Sequence, residues 1–259
     1  MRIIKTFIVA FSMFSRIPMP KIEWTKDNMA YSMCAFPFIG AAIGFALYCW
    51  AALSAWLNFS AVLFAAGITL LPAIITGGIH LDGFCDTADA LASHADREKK
   101  LEILKDANIG AFAAIVLAVY FLLYFCFAYE LKVDKDILLM LCLGHILSRC
   151  LSGYGVAALP CAKNSGLLYT FADAAIKNKV RIILSVMILL VCAALICINI
   201  FYGVIICTAA LLCFLYYSQM SKRQFGGITG DLAGYFLQLC ELGILAAAVI
   251  AQKIFNIIS

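Results

Sequence analysis

An all-α, polytopic integral membrane protein is the fold class this sequence predicts, and three observations predict it. Of 259 residues, 65% are apolar and 13% charged, where soluble proteins carry about 45–50% and about 25%. A mean hydropathy of +1.00 is opposite to the low hydrophobicity and high charge of disordered chains. The apolar runs are continuous over about 20 residues, the length a helix needs to cross a bilayer core, whereas barrel strands are about 10 residues long with alternating polarity.

Seven such runs are predicted to span, near Tyr31–Trp56, Ser60–Ile79, Ile109–Ala128, Ile137–Leu159, Val180–Phe201, Val204–Met220 and Leu232–Ala251. The opening stretch has basic Arg2 and Lys5 before apolar residues, but Arg16 and Pro18 stand where a signal-peptide cleavage site would need small residues. Ile4, Phe7, Ile8, Phe11 and Phe14 share one helical face, and Lys5, Ser12 and Arg16 lie on another. Residues 1–20 are therefore expected to form an interfacial helix on the membrane surface. The whole of 1–259 is expected to be one transmembrane domain, with polar cytoplasmic loops at 80–108 and 221–231.

Loops rich in Lys and Arg stay cytoplasmic, and the connections are strongly asymmetric. One side holds Arg2, Lys5, Arg16, Lys21 and Lys26, then Arg97, Lys99, Lys100 and Lys105, then Lys163, Lys177, Lys179 and Arg181, and finally Lys222 and Arg223. The other holds Lys132, Lys135 and Lys253. The N-terminus is thus expected in the cytoplasm of a bacterial or archaeal cell, with the chain multi-pass in its cytoplasmic (inner) membrane. The net charge of +4 follows from basic segments beside anionic lipid. The lipid bilayer is the expected partner, a homo-oligomer is compatible with the sequence, and no nucleic-acid partner is expected. The 12 cysteines form no CxxC pair, so neither a disulfide framework nor a zinc site is indicated.

The chemistry-bearing residues gather on the basic side. In Gly77-Gly78-Ile79-His80-Leu81-Asp82-Gly83-Phe84-Cys85-Asp86-Thr87-Ala88-Asp89, three acids at i, i+4 and i+7 share one helical face. Like charges so placed repel, and a hard oxygen-ligated ion such as Mg²⁺, shared with substrate phosphates, is one answer. A solvated acidic helix paired with nearby basic residues is the other. Asp96 to Asn108 is expected to be amphipathic, with Leu101 and Leu104 inward and Arg97, Glu98, Lys99 and Lys100 on a solvated face. Lys105 and Asp106 return to the surface where the acids emerge, as candidates to touch phosphate or metal.

Phe225-Gly226-Gly227-Ile228-Thr229-Gly230-Asp231 opens the last span. A Gly-rich turn feeding a helix N-terminus exposes N–H groups to a phosphate oxygen, and Asp231 could add a metal ligand. A tight turn with Thr229 or Asp231 as helix cap is the competing reading. Gly-Gly-Ile-x-x-Asp occurs at 77–82 and again at 226–231, which hints at an internal repeat. His145 and Arg149 lie one turn apart inside the fourth span, where a charged Arg either faces substrate or pairs with a carboxylate such as Glu241. Gly40 and Gly44 are expected at a helix contact, and Pro72 at a kink.

Together, Ser15-Arg16-Ile17-Pro18-Met19-Pro20, Phe36-Pro37-Phe38-Ile39-Gly40, the acid motif, Lys105-Asp106 before Ile109-Gly110, Ser148-Arg149 and Gly226-Gly227-Ile228-Thr229-Gly230-Asp231 resemble cobalamin synthase, the adenosylcobinamide-GDP ribazoletransferase family. The resemblance runs from residue 12 to 241 in the family's order. It implies a Mg²⁺-dependent membrane enzyme in which a hydroxyl of α-ribazole, or of its 5′-phosphate, attacks the cobinamide-side phosphorus of adenosylcobinamide-GDP and releases GMP. On that reading Asp82, Asp86 and Asp89 bind metal, with Asp106 and Asp231 as further ligands. His80 or a free carboxylate of the cluster is the base. Arg16, Lys105 and Arg149, with the loop Gly226, Gly227, Thr229 and Gly230, hold phosphate or the leaving GMP. The chain departs from the family pattern at Ala90, Ala107-Asn108 and Gln238. Two other readings are a CDP-alcohol phosphotransferase, whose Ala-Arg pair is missing from Asp82–Ser93, and a transporter, whose charges would line a pathway rather than one surface.

Overall fold

The computed structural model describes residues 2–258. Twelve α-helices and one π-turn occur among them: α1 (Arg2–Phe14), α2 (Lys26–Met29), α3 (Ser32–Trp56), α4 (Ala61–Thr76), α5 (Ile79–Ala92), α6 (Arg97–Ile103), α7 (Ala111–Glu130), α8 (Lys135–Ala158), α9 (Leu167–Ala174), α10 (Lys177–Ile198), α11 (Ile200–Met220), the π-turn (Ser221–Phe225) and α12 (Gly230–Ile258). Six of these helices are long and apolar enough to cross a bilayer, and the bent pair α4 and α5 makes a seventh segment. The protein is a polytopic α-helical membrane protein, in the order expected from the hydropathy.

The second span departs from its expected bounds. α4 stops at Thr76, three residues short of Ile79, and α5 leaves it at 95°. The turn is made by Gly77 and Gly78, at φ +66° and +78°, a left-handed conformation that costs an L side chain about 1–2 kcal/mol. Pro72 is not the break. It sits inside a helix that continues to Thr76, where the Thr76 hydroxyl donates to the Pro72 carbonyl at 2.8 Å. The acid-bearing α5 therefore turns across the end of α4 instead of continuing along it.

α8 is the centre of the bundle, packed against α3, α10 and α12. Gly40 and Gly44 let α3 approach it closely: an added Cβ at Gly40 would strike the His145 carbonyl, and one at Gly44 would come within 2.9 Å of Cys142 Cβ. This is the helix contact the Gly-x-x-x-Gly spacing predicts. α1 lies against α3. Thr6, Val9 and Ala10 are buried there, and Ile4, expected on the membrane-facing stripe with Phe7 and Phe11, is exposed. Between α10 and α11 the break is one residue, and Asn199 Oδ1 caps α11 by accepting from the N–H groups of Phe201 and Tyr202 at 3.0 and 3.1 Å.

Inside the bundle, Arg149 on α8 is fully buried and ion-paired with Glu241 on α12. Its Nη1 also donates to Ser148 Oγ at 2.9 Å and stands 3.2 Å from His145 Nδ1, which is 3.5 Å from Glu241 Oε2. Of the two roles expected of Arg149, the structure shows the carboxylate pair, which pins α8 to α12. Removing one partner leaves a buried charge unpaired, which costs about 3–5 kcal/mol, while replacing both with apolar groups is often neutral. Glu241→Met is accordingly expected to lower the thermal midpoint of the purified protein sharply. Arg149→Met/Glu241→Met should recover most of that loss. A double variant as unstable as the single one would mean that Arg149 does more than pair with Glu241.

Candidate active site

Two glycines bring the two polar motifs together. A Cβ at Gly83 on α5 would sit 2.7 Å from the Asp231 Cα, and one at Gly234 on α12 would sit 2.9 Å from the His80 carbonyl oxygen. The two helices thus touch backbone to backbone at the level of Asp82 and Asp231. Phe84 seals the contact, its ring stacked on Tyr235 with centroids 5.3 Å apart and tilted against Tyr120 at 5.1 Å. Gln238, one departure from the family pattern, accepts a 2.6 Å hydrogen bond from the Tyr120 hydroxyl in the same buried layer.

The three acids of α5 take different surroundings. Asp82 is exposed and lines a cavity of about 200 Å³ with His80, Gly230 and Asp231. Asp86 is half-buried, and burial pushes its carboxyl up to about 7, helped by the charges of Asp82, Asp231, Asp89 and Asp106. Asp89 is held by the next helix: the Gly110 N–H donates to its Oδ2 at 2.6 Å and the Ala113 N–H to its Oδ1 at 2.8 Å. Both oxygens of Asp89 therefore accept from the N-terminus of α7, a stabilising place for a carboxylate. Asp106 closes a local turn, accepting from the Asn108 backbone and side chain at 3.0 and 2.8 Å, and these bonds hold its carboxyl below the usual range. His80 is buried on the inner side of α5, where burial and then the Arg149 charge push its imidazole down to about 3.

The Gly-rich loop divides in the same way. Gly226 adopts φ +75° with the Arg97 guanidinium lying over it, as Arg16 lies over Gly77. Gly227 has no free face, because an added Cβ would meet the backbone of Pro160, Cys161 and Ala162. There the Ile228 N–H donates to the Pro160 carbonyl and the Ala162 N–H to the Ile228 carbonyl, both at 2.9 Å. Gly226 and Gly227 thus shape the loop and strap it to the 160–162 segment. Thr229 caps α12, accepting from the Leu232 N–H at 3.2 Å. Gly230 alone faces open space. The capping reading and the open-face reading both hold, at adjacent residues.

Beside Gly230 a second cavity of about 200 Å³ is lined by Lys105, Lys163, Tyr169, Thr229 and Asp231. Lys105 is where the sequence predicts it. Lys163 is an addition: its Nζ donates to the Leu101 carbonyl at 2.7 Å, and burial and Lys105 draw its ammonium below the usual lysine range. The spacing of the 160–166 segment carries no motif, and only this three-dimensional pairing reveals it. α9 was also not expected, although Leu167, Leu168, Phe171 and Ala172 carry helical spacing. In α6, Leu101 and Leu104 are buried as expected, but Lys100 is not solvated. It is buried and donates to Gln224 Oε1 at 2.5 Å.

Among the described residues no three His, Cys, Asp or Glu side chains are arranged as a cage for a metal ion. Mg²⁺ takes few protein cages, being held by one or two carboxylates with water and substrate phosphates. Asp82, Asp86 and Asp231 suit it: they are hard oxygen donors, and their mutual repulsion, expressed in the raised carboxyl of Asp86, is relieved by a divalent cation.

Fold and site together define a polytopic membrane enzyme whose acids and lysines meet at one end of the helix bundle. The family model for cobalamin-5-phosphate synthase matches residues 6–249, and the chain belongs to that family. A protein of Lachnoclostridium phytofermentans named adenosylcobinamide-GDP ribazoletransferase is 41% identical over 254 residues, covering 98% of this chain and 97% of the relative. Proteins of the same name from Clostridium perfringens SM101 and Fusobacterium nucleatum are 35% and 30% identical, covering 95% and 92% of this chain and 98% and 94% of theirs. No solved structure matches. The transporter and CDP-alcohol phosphotransferase readings fall with the family assignment.

The raised carboxyl of Asp86 gives a pH dependence. Because the fold favours its protonated form, the metal-free protein has its full stability from this group below the ordinary carboxyl range near 4. That contribution is lost as pH rises through about 7. In EDTA, the thermal midpoint should fall between pH 5 and pH 8, and Asp86→Asn should reduce that fall by on the order of 3 °C. Mg²⁺ added at pH 8 should restore the wild type more than the variant. Equal pH slopes in wild type and Asp86→Asn would remove Asp86 from the coupled cluster.

Proposed function

We propose that this protein is an adenosylcobinamide-GDP ribazoletransferase, using Mg²⁺ to join adenosylcobinamide-GDP to α-ribazole or α-ribazole 5′-phosphate with release of GMP. The observation that carries the reading is the meeting of Asp82, Asp86 and Asp231 with a lysine-lined cavity at the open N-terminus of α12. A pyrophosphate needs positive charge against its oxygens; the two cavities share Gly230 and Asp231, with Asp82 on one side to hold a cation and Lys105 and Lys163 on the other to donate. Mg²⁺ held by Asp82, Asp86 and Asp231 would neutralise charge on the phosphate oxygens and stabilise the leaving group.

Lys105 and Lys163 hold the GMP-side phosphate, and the Gly230 backbone leaves room for it at a helix N-terminus. The ribazole hydroxyl oxygen bonds to the cobinamide-side phosphorus as the bond from that phosphorus to the oxygen of GMP breaks. Its proton passes to a carboxylate of the cluster that the ion leaves free. No covalent protein nucleophile is needed. Arg16, lying over the Gly77 turn just before α5, adds positive charge near the acids. The basic asymmetry of the loops supports a cytoplasmic N-terminus and an active end facing the cytoplasm, where a nucleotide-activated substrate would be met.

The test is GMP release by protein reconstituted in lipid vesicles with adenosylcobinamide-GDP, α-ribazole and Mg²⁺. The wild type should release GMP in step with cobalamin formation, and Asp82→Asn should be slower by about 100-fold with an unchanged melting midpoint. A wild type that makes no GMP, or an Asp82→Asn variant as fast as the wild type, would overturn the reading.

A further inference from the structure

The cavity on the inner side of Asp82 has a chemistry that the phosphate transfer leaves unused. Its walls are Phe14 from α1, Met33 and Phe36 from α3, Val156 from α8, Phe171 from α9 and Leu237 from α12. The rings are packed around it, with Phe14 4.6 Å from Phe36 and 5.7 Å from Phe171, centroid to centroid. Beside these apolar walls the lining also carries Ser152, Asp82, Asp231 and His80. His80, 5% exposed, stacks at 6.3 Å from Phe14 and meets Phe36 edge-on at 5.8 Å, and its Nε2 is buried without a hydrogen-bond partner. Buried polar nitrogens are nearly always satisfied, so an occupant that supplies a partner is the physical expectation.

Size and outlet narrow the occupant. An apolar cavity of about 150 Å³ takes a benzene ring, so the volume of about 200 Å³ here suits a flat ring system somewhat larger than benzene. An acyl chain would leave His80 Nε2 unsatisfied and would meet carboxylates at the outlet, where Asp82, Gly230 and Asp231 stand. Gly230 and Asp231 also front the lysine-lined cavity, so a group seated among the rings carries its substituent directly to the acids and phosphates.

We infer that this cavity seats the aromatic base of the nucleoside substrate, with His80 Nε2 hydrogen-bonded to the free ring nitrogen of a bicyclic azole. The inference rests on the transfer reading for which nucleoside enters, and it makes His80 a binding residue in place of the base. With the base held there, the sugar projects through the outlet toward Asp82 and Asp231, which orients its hydroxyl for attack. Leu237, Val156 and Phe171 then set how large a base is accepted.

The probe is 1-methylbenzimidazole, which keeps one acceptor ring nitrogen, compared with 1-methylindole, which has the same shape and a carbon in that place. Each is measured by equilibrium dialysis against the protein in lipid nanodiscs, with empty nanodiscs as baseline and no other substrate. The wild type should bind 1-methylbenzimidazole saturably and at least tenfold more tightly than 1-methylindole. His80→Phe should abolish that preference, and Leu237→Trp, which fills the cavity, should abolish binding of both. Equal binding of the two probes by the wild type, or unchanged 1-methylbenzimidazole binding by folded Leu237→Trp, would overturn the inference. The two probes on the wild type decide it even if His80→Phe does not fold. If the wild type releases GMP but shows no preference between probes, the cavity assignment falls and the transfer stands. If the preference is present but no GMP is formed, the ring-binding cavity stands and the transfer reading falls.

Discussion

The backbone contact between α5 and α12 decides where every polar group at this end of the bundle can stand. Gly83 admits the Asp231 backbone and Gly234 admits the His80 backbone, so two helices from distant parts of the chain approach without side chains between them. That approach places Asp231 among the acids of α5, raises the carboxyl of Asp86, and sets the outlet of one cavity against the wall of the other. A side chain at either glycine would separate the helices and dissolve the cluster. The glycine turns at Gly77-Gly78 and Gly226 serve the same end, since each aims its helix into the contact at a positive φ.

Charge is handled in two opposite ways a few turns apart. In the core, Arg149 is matched by Glu241 with His145 beside them, and the group holds α8 to α12. At the bundle end, Asp82 and Asp231 line one cavity and their charges act on Asp86, with Lys105 and Lys163 set aside in a neighbouring cavity. A satisfied buried pair confers fixed geometry, whereas an unsatisfied acid cluster stores a demand for a cation. The two are linked through α12, which carries both Glu241 and Asp231, so the neutral core pair holds the acidic end in register.

Much of this was legible in the sequence because hydropathy and spacing are local properties. Span order, the Gly40 and Gly44 contact, the inward Leu101 and Leu104, and the gathering of Asp82, Asp86, Lys105, Thr229, Gly230 and Asp231 at one end all follow from periodicity and from counting turns. What could not be read depends on partners far away in the chain. Asp89 looks like Asp82 in the sequence, yet the N-terminus of α7 claims it. Gly227 looks like Gly230, yet the strap to Pro160 and Ala162 leaves it no open face. Arg149 allowed two roles, and only the position of Glu241 chose between them. Lys163 and Phe171 had no motif at all and became visible when the 160–174 segment folded over the site.

The central claim is that acids from the two glycine-turned helices form one cation site. Mn²⁺ binding to the purified protein, followed by electron paramagnetic resonance of the free ion, tests it most directly with Asp86→Asn, Asp231→Asn and the helix-separating Gly234→Leu. One site per chain in the wild type, weakened at least tenfold in all three variants that remain folded, is the result the account predicts. Wild-type Mn²⁺ affinity in folded Asp231→Asn would contradict it, because α12 would then contribute nothing to the acids of α5.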